Sequence, residues 1–430
     1  MVYVLNVNGQ PLMPTQRCGF VTRLLKASKA KVKKRCPFTI QLLYATTDFT
    51  QPVSLGVDAG SKTIGLSATT TQKELYASEV TLRSDIVELL AARRELQCTR
   101  RNRKTRYRAP RFDNRTHNKK DGWLAPSVQH KIDTHIKAIT DVQKILPITS
   151  IIVETASFDI QKIKNPNISG TEYQQGEQLD FWNVREYVLF RDGHTCQCCC
   201  GKSKDKRLNV HHIESRRTGG NAPNNLITLC ETCHTKYHEG CIKLPSHIKR
   251  GMAFRDAVFM GIMRWALYHK LKEIEYELNI PVVNTYGYIT KNTRIQNGLD
   301  KTHTIDARCI SGHPNAESLG YCYYMRKIRC HNRQIHKLTI LKGGKKKNNQ
   351  APYEVFGFRL FDKVRYNGQE CFITGRRASS YFTLRTIDNI LVHASISYKK
   401  LKLVERAKHY ITERKAIFSS RINTEVSMAI

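Results

Sequence analysis

The row CQCCCGKSKDKRLNVHHIESRRTGGNAPNNLITLCETCHTKYH holds two C-x-x-C pairs, Cys196/Cys199 and Cys230/Cys233, separated by 30 residues. Each short turn presents two sulfurs to one side of one ion, so two such pairs make a tetrahedral thiolate site for Zn²⁺. Cys198 and Cys200 leave the choice within the first pair open. The same row carries His211, His212, Asn225, His234 and His238. The i,i+4 spacing of His234 and His238 puts both imidazoles on one helical face, as a metal site needs. Adjacent strand positions point to opposite sides, so one of His211 and His212 can join that metal while the other faces a substrate as a base. A divalent ion that neutralises a phosphate beside a neutral imidazole is equipped to hydrolyse a phosphodiester.

A second set of candidates is dispersed. Asp58 closes the apolar run VSLGVD, Glu154 closes SIIVE, and His303-x-x-Asp306 opens a helix. Singly, such residues are common turn formers. Together, carboxylates at the ends of neighbouring strands and on a helix packed against them can converge on two hard cations. Two Mg²⁺ ions about 3.5–4 Å apart clamp the attacking and leaving oxygens of a phosphodiester.

Elements able to position these groups are written around them. Residues 53–58 and 63–68 read as two strands joined by a tight turn at Ala59-Gly60-Ser61. Pro126 opens a helix with Val128, Ile132, Ile136, Ile139, Val142 and Ile145 at three- and four-residue spacing, and Pro147 closes it. Residues 161–180 read as a linker, and a helix over FWNVREYVLF delivers the chain to the cysteine row. A helix over 254–275, the strand PVVNTYG, a loop and a short helix from near His303 follow. At the start, residues 2–7 read as a strand, Pro11 and Pro14 bound a turn, and residues 23–35 carry seven basic side chains. A Lys-rich linker at 342–347 precedes a strand-like region over 356–404. No internal repeat or sustained heptad occurs.

The 430 residues carry 71 Lys+Arg against 36 Asp+Glu, a formal net charge of +35, and are 40% hydrophobic. That balance is too basic for an ordinary metabolic enzyme and too apolar for a disordered polycation, so the expected partner is nucleic acid. No apolar run approaches the ~20 residues that span a bilayer, and the start lacks the order of a signal peptide; a cytoplasmic protein is expected. Seven of the 14 cysteines lie between Cys196 and Cys241, which points to metal in a reducing compartment rather than to a disulfide framework. Positive charge is densest over 91–115, with ten Arg or Lys and two acids. Helical to about residue 107, this stretch repels itself at i,i+4 unless phosphates neutralise it.

The cysteine and histidine row resembles the zinc-stapled HNH endonuclease module. That resemblance implies His212 as general base, His211, His234 and His238 as metal ligands, and Asn225 as the residue that fixes the loop and orients the base. In many relatives Asp stands at the position of His211 and Asn at that of His234. GVDAGSKTIG, IIVE and HTIDA resemble the three fragments of the RuvC fold of the RNase H superfamily, with Asp58, Glu154, His303 and Asp306 as its catalytic residues and Asp58, Glu154 and Asp306 as metal ligands. An arginine-rich helix after the first fragment and an HNH module between the second and third resemble the IscB family, compact transposon-encoded relatives of type II CRISPR effector nucleases. PLMP at 11–14 and RCGFVTRLLKASKAKV resemble the opening domain of that family.

The resemblance implies an α/β multidomain fold. Its parts are a basic PLMP-type domain (1–54), RuvC-like fragments (55–90, 121–165 and 251–315), an arginine-rich bridge helix (91–120), a zinc-stapled HNH nuclease (180–250), and a linker with a small C-terminal β-barrel (316–430). It also implies an RNA-guided DNA endonuclease whose HNH site cuts the guide-paired strand and whose RuvC-like site cuts the displaced strand. The implied cofactors are Mg²⁺ or Mn²⁺ at both nuclease sites, structural Zn²⁺ and a guide RNA; the implied partners are a structured noncoding RNA and a DNA duplex, with one protein chain per ribonucleoprotein in a bacterial or archaeal cytoplasm. Arg93, Arg94, Arg100, Arg101, Arg103, Lys104, Arg106, Arg108 and Arg111 match the bridge helix and are expected to contact RNA. Arg376 and Arg377 are candidate base readers of the C-terminal domain. A guide-independent homing endonuclease or resolvase is the alternative, and it has no need of the bridge helix. A nonenzymatic zinc-containing RNA binder would have no use for Asp58, Glu154, Asp306 and His212 together.

Overall fold

The computed structural model describes residues 1–102, 123–155, 181, 183–214, 221–249, 251, 255–329 and 352–417. They form a mixed α/β structure with four sheets, in two units: Met1–Ala156 with Ile262–Ile430, and Ser157–Gly261. No described helix is long and apolar enough to cross a membrane.

The first unit opens with β1 (Val2–Leu5), β2 (Pro11–Thr15), α1 (Cys18–Lys26), β3 (Ala30–Lys34) and β4 (Thr39–Leu42), which make a sheet of order β2-β1-β4-β3. Pro11 and Pro14 were expected to bound a turn, yet they lie within β2. An edge strand tolerates them because its outer N–H groups need no partner. Next comes an antiparallel meander, β5 (Ser54–Ala59), β6 (Thr63–Thr69) and β7 (Glu74–Thr81), then α2 (Ile86–Asn102), α3 (Pro126–Gln143) and β8 (Ser150–Thr155). Ile132, Ile139 and Val142 are the buried apolar stripe of α3, and its Lys131 Nζ donates to the Ser61 carbonyl at 2.7 Å, tying the helix to the turn after β5. β8 runs parallel to β5 with Val153 opposite Val57, so Asp58 and Glu154 occupy the next positions on adjacent strands.

The second unit contains α4 (Val184–Arg191), the antiparallel pair β9 (Leu208–His212) and β10 (Leu226–Cys230), and α5 (Glu231–His238). Its core is small: Cys196, Ile227, Leu229, Cys230 and Cys233 in one cluster, Tyr187, Val188 and Leu226 in another.

The chain returns through α6 (Arg255–Leu278) to β11 (Val282–Tyr286), α7 (Gly287–Gln296), α8 (His303–Ile310) and β12 (Tyr321–Lys327). Helix α7 occupies the stretch expected as a loop. Its only fully buried side chain is Thr290, so it has no apolar stripe for periodicity to reveal. β13 (Lys363–Tyr366), β14 (Gln369–Arg376), β15 (Tyr381–Arg385), β16 (Leu391–Ser397) and β17 (Lys402–Glu405) form an antiparallel sheet of order β16-β15-β14-β13-β17 around Phe358, Val364, Phe382 and Leu384. This is the region expected as a small barrel: Ile396 of β16 and Leu403 of β17 pack on one core, and no ladder joins the two strands among the described residues. β18 (Tyr410–Ala416) then leaves that sheet and pairs with β12, completing a seven-stranded sheet of order β11-β8-β5-β6-β7-β12-β18.

Helix α8 lies directly on the backbone of β5 and β6. A Cβ added to Gly56 would sit 1.9 Å from the Ala307 carbonyl oxygen, and one added to Gly65 would sit 2.0 Å from that of His303. Only glycine permits this approach, and Gly65 is the register partner of Asp58. The glycines of the GVDAGSKTIG segment therefore bring His303 over Asp58. We predict that Gly65→Ala costs about 1–3 kcal/mol through overpacking, seen as a lower thermal midpoint. Gly19→Ala, in α1 with nothing within 4 Å of the added methyl, should be neutral or stabilise by about 0.5–1 kcal/mol.

Candidate functional site

In the second unit, Cys230 caps the N-terminus of α5, its Sγ accepting from the Cys233 N–H at 3.4 Å. Cys199 Sγ lies 3.8 Å from Cys230 Sγ, and one sulfur from each of Cys196, Cys199, Cys230 and Cys233 lies within 4.8 Å of the others. The choice within the first pair is thereby made: Cys198 and Cys200 stand outside the set, Cys200 exposed at the left-handed φ of 50°. Four sulfurs at this spacing fit a structural Zn²⁺. Hydrogen bonding with Ser203 brings the Cys199 thiol down to about 6, whereas burial pushes Cys230 and Cys233 up. A cation among them is what would let all four be thiolates together.

His211 and His212 end β9, opposite Ile227 and Leu226. The pleat separates them as expected: His211 is buried and His212 partly exposed. His211 packs edge-on against His234, Tyr237 and His238 of α5, with ring centroids 5.3, 4.7 and 5.2 Å away. Nε2 of His234 and Nε2 of His238 are 3.3 Å apart, and one nitrogen from each of the three histidines lies within 4.8 Å of the others. Among the described residues His211 Nε2 is buried with no hydrogen-bond partner, an unmet valence that a metal ion would satisfy. Burial, then the neighbouring imidazoles, push His211 down to about 4 and hold it in the neutral form that ligates. On the other face His212 Nε2 contacts Asn221 Oδ1 at 3.0 Å; an amide oxygen only accepts, so Nε2 carries the proton and Nδ1 keeps a lone pair. Asn225 is fully buried and pins the turn after β9: its Oδ1 accepts from Glu214 N at 2.9 Å and its Nδ2 donates to Glu214 O at 3.0 Å.

In the first unit, Asp58 and Glu154 are buried at the C-terminal ends of β5 and β8. Thr302 caps α8, its hydroxyl accepting from Ile305 N at 3.1 Å, and places His303 and Asp306 in the first turn. His303 Nδ1 lies 2.6 Å from Asp58 Oδ2. Each carboxylate has a cationic side chain against it. Arg264 of α6 reaches Glu154 Oε1 at 2.7 Å and Asp58 Oδ1 at 3.8 Å, and Arg294 of α7 reaches Asp306 Oδ1 at 3.1 Å. Burial pushes the Glu154 carboxyl up, Arg264 opposing and Asp58 adding; burial and then Asp58 push Asp306 up, Arg294 and His303 opposing. The Asp58 hydrogen bond raises His303 against its own burial. Two buried acids with a third beside them, all oxygen donors, suit hard divalent cations.

Sequence reasoning missed Asn221, Arg264 and Arg294. Asn221 lies in a polar Gly-rich loop without periodicity, and Arg294 in the helix taken for a loop. Arg264 alone had a signal: it interrupts the apolar run FMGIMRWAL beside the buried stripe Met263, Leu267 and Leu271. Arg93 and Arg94 are exposed on α2, which also carries Arg100 and Arg101. Arg103, Lys104, Arg106, Arg108 and Arg111, like the segments 161–180 and 342–347, lie outside the described residues. Arg376 donates to the carbonyls of Pro352, Tyr353 and Phe358, a clamp on the chain entering the C-terminal sheet, and Arg377 donates to Ser395 Oγ at 2.8 Å.

Residues 2–176 match the family described as RRXRR protein, and residues 196–240 match HNH endonuclease. The chain resembles the IscB/Cas9-like nucleases in carrying both an RRXRR segment and an HNH segment. Anaredoxin of Nostoc sp. (strain PCC 7120 / SAG 25.82 / UTEX 2576) is 40% identical over 65 residues, which are 15% of this chain and 83% of that protein. Among solved structures, Streptococcus thermophilus Cas9 in complex with AGGA PAM aligns at 14% identity over 44% of this chain and 26% of its own, with a TM-score of 0.31. The Type II-C Cas9 enzyme from Actinomyces naeslundii aligns at 12% identity over 61% and 59%, with a TM-score of 0.25. The chain thus spans about a quarter of the length of the first of these solved relatives and 59% of the second.

Two expectations follow for the HNH module. Cys230→Ser should lower zinc by one equivalent per chain in elemental analysis and make the module protease-sensitive while the first unit keeps its protection. In protein that keeps the ion of the four cysteines but has none at the histidines, the buried neutral His211 refuses a proton that the unfolded chain accepts from its ordinary 6.5 downward. Stability of the module should therefore fall as pH drops from about 6.5 toward 4 and level off below, measured by thermal unfolding across that range; His211→Asn should flatten the slope.

Proposed function

We propose that the chain is an RNA-guided DNA endonuclease with two cutting centres, one for each strand of the target duplex. The observation that carries this is the nesting of two different candidate hydrolytic centres: the imidazole cluster is inserted between the strand bearing Glu154 and the helix bearing Asp306. In this reading the order β11-β8-β5-β6-β7, antiparallel at β6 and parallel across β5, β8 and β11, is a RuvC-like core of the RNase H type split into three. The stretch beginning in α2 is the bridge helix that holds guide RNA, and the C-terminal sheet faces RNA or the duplex beside the target. An excess of +35 suits a protein that neutralises many phosphates without reading their sequence.

At the HNH centre, His211, His234 and His238 would hold a divalent ion that supplies positive charge at the scissile phosphate of the guide-paired strand. Three nitrogen donors suit Mn²⁺ or another first-row ion better than Mg²⁺. His212, its Nε2 proton committed to Asn221, takes the proton of the attacking water on Nδ1. Asn225 holds the turn that fixes the His212 backbone. At the carboxylate centre, Asp58, Glu154 and Asp306 would hold Mg²⁺ or Mn²⁺ for the displaced strand, with His303 placed to accept a proton from water.

The test is to purify the protein from cells that carry its own locus, sequence the bound nucleic acid, and assay duplexes matched to that RNA with Mg²⁺ or Mn²⁺. A discrete copurifying RNA and guide-dependent cutting are expected. His212→Ala should slow paired-strand cutting by about 10²–10⁴-fold and spare the displaced strand, leaving a nickase. Asp58→Ala should give the opposite nickase. Equal cutting without RNA would instead support the guide-independent alternative.

A further inference from the structure

We infer that Arg264 is the internal counter-ion of the carboxylate centre, a guanidinium that pairs with Asp58 and Glu154 and gives way when divalent metal binds. The inference rests on the reading of those two acids as metal ligands. Arg264 follows Met263 on a face of α6 that buries Met263, Leu267 and Leu271, and it is only 9% exposed. A buried arginine is expensive unless every donor is directed, and here all three nitrogens are. Nε donates to the Ala59 carbonyl at 2.8 Å, one terminal nitrogen meets Glu154 Oε1 at 2.7 Å and the other approaches Asp58 Oδ1 at 3.8 Å. One planar group thus spans the ends of both parallel strands.

The alternative is a static ion pair that serves the fold alone. Two features oppose it. The bond to Ala59 involves neither carboxylate, so the side chain keeps an anchor of its own when the acids turn to metal. The pair to Asp58 is also loose, and the second oxygen of Asp58 is shared with His303 at 2.6 Å. Among the described residues, the side chains able to gather three ligand atoms within 4.8 Å are the four cysteines and the three histidines, and the three acids are not gathered in this way. Each acid faces a cation of the chain instead of a shared centre. Metal binding here is therefore an exchange of charge: a divalent ion replaces a single positive charge on Glu154 and Asp58, and the affinity it shows is reduced by what the guanidinium already supplied. Arg264 is in this sense a positioning residue. In chain order it stands just after Gly261, where the HNH unit ends.

The experiment is a Mn²⁺ titration of the full zinc-loaded chain followed by electron paramagnetic resonance of free Mn²⁺, with His238→Ala in every variant to weaken the imidazole site. The component of binding lost in Asp58→Asn is the one read. Arg264→Met should tighten that component by at least about tenfold, lower the thermal midpoint without Mn²⁺, and recover it with Mn²⁺ to a greater extent than the parent. Arg264→Lys, which keeps the charge and the fold but cannot reach Ala59 and both acids at once, should tighten it by a smaller factor. In cleavage by the His238-intact protein, Arg264→Lys should need less metal for the displaced strand and the same amount for the paired strand. A lower midpoint with unchanged Mn²⁺ affinity in both variants would overturn the counter-ion role and leave the metal reading standing. Absence of any Asp58-dependent Mn²⁺ binding, in parent and variants alike, would overturn both.

Discussion

Negative charge held beside negative charge out of water is the constraint around which the first unit is arranged. Burial first, and the Asp58 charge after it, push the Glu154 and Asp306 carboxyls upward. Desolvating such acids is tolerable only with compensating charge close by. Three helices supply partners, one each: Arg264 from α6, Arg294 from α7 and, as a hydrogen-bonding imidazole on Asp58, His303 from α8. The close seating of α8 on Gly56 and Gly65 belongs to the same solution, because it brings His303 within hydrogen-bond distance of Asp58. The sheet sets where the acids stand, and the helices supply the groups that face them.

The second unit solves a different problem with different atoms. Its core is too small to rest on apolar burial alone, so four sulfurs gather where a larger domain would place leucines. The hairpin and helix fixed in this way present nitrogen rather than oxygen donors, and the pleat of β9 divides two adjacent histidines between a buried face and an accessible face. The two centres of the chain consequently differ in the softness of the ion they favour.

Much of this was legible in the residues because it is local. The β5–β6 hairpin, α3 between its two prolines, β8 ending in an acid and the C-x-x-C spacing are all patterns of a few consecutive positions. What escaped is what depends on distant partners. α7 is helical without an apolar stripe and owes its place to β11 and α8. β2 accepts two prolines only because it lies at an edge. β12 and β18 join the main sheet through pairing across residues 328–409, which no local pattern announces. The direction of the Arg264 side chain is set by the ends of two strands more than a hundred residues earlier. Asn225 was assigned to the loop from its position in a motif, and its two bonds to Glu214 give that role a geometry.

The pairing of β18 with β12 also orders events in time. The sheet that carries Asp58 and Glu154 acquires its last strand only after residues 410–416 have been synthesised. Until then the growing chain has β12 as a bare edge, with unpaired backbone groups available to any other strand. The HNH unit, complete by residue 261 and stapled by its own cysteines, is under no such delay. On the ribosome the histidine cluster can thus mature while the sheet that carries Asp58 and Glu154 still lacks its last strand.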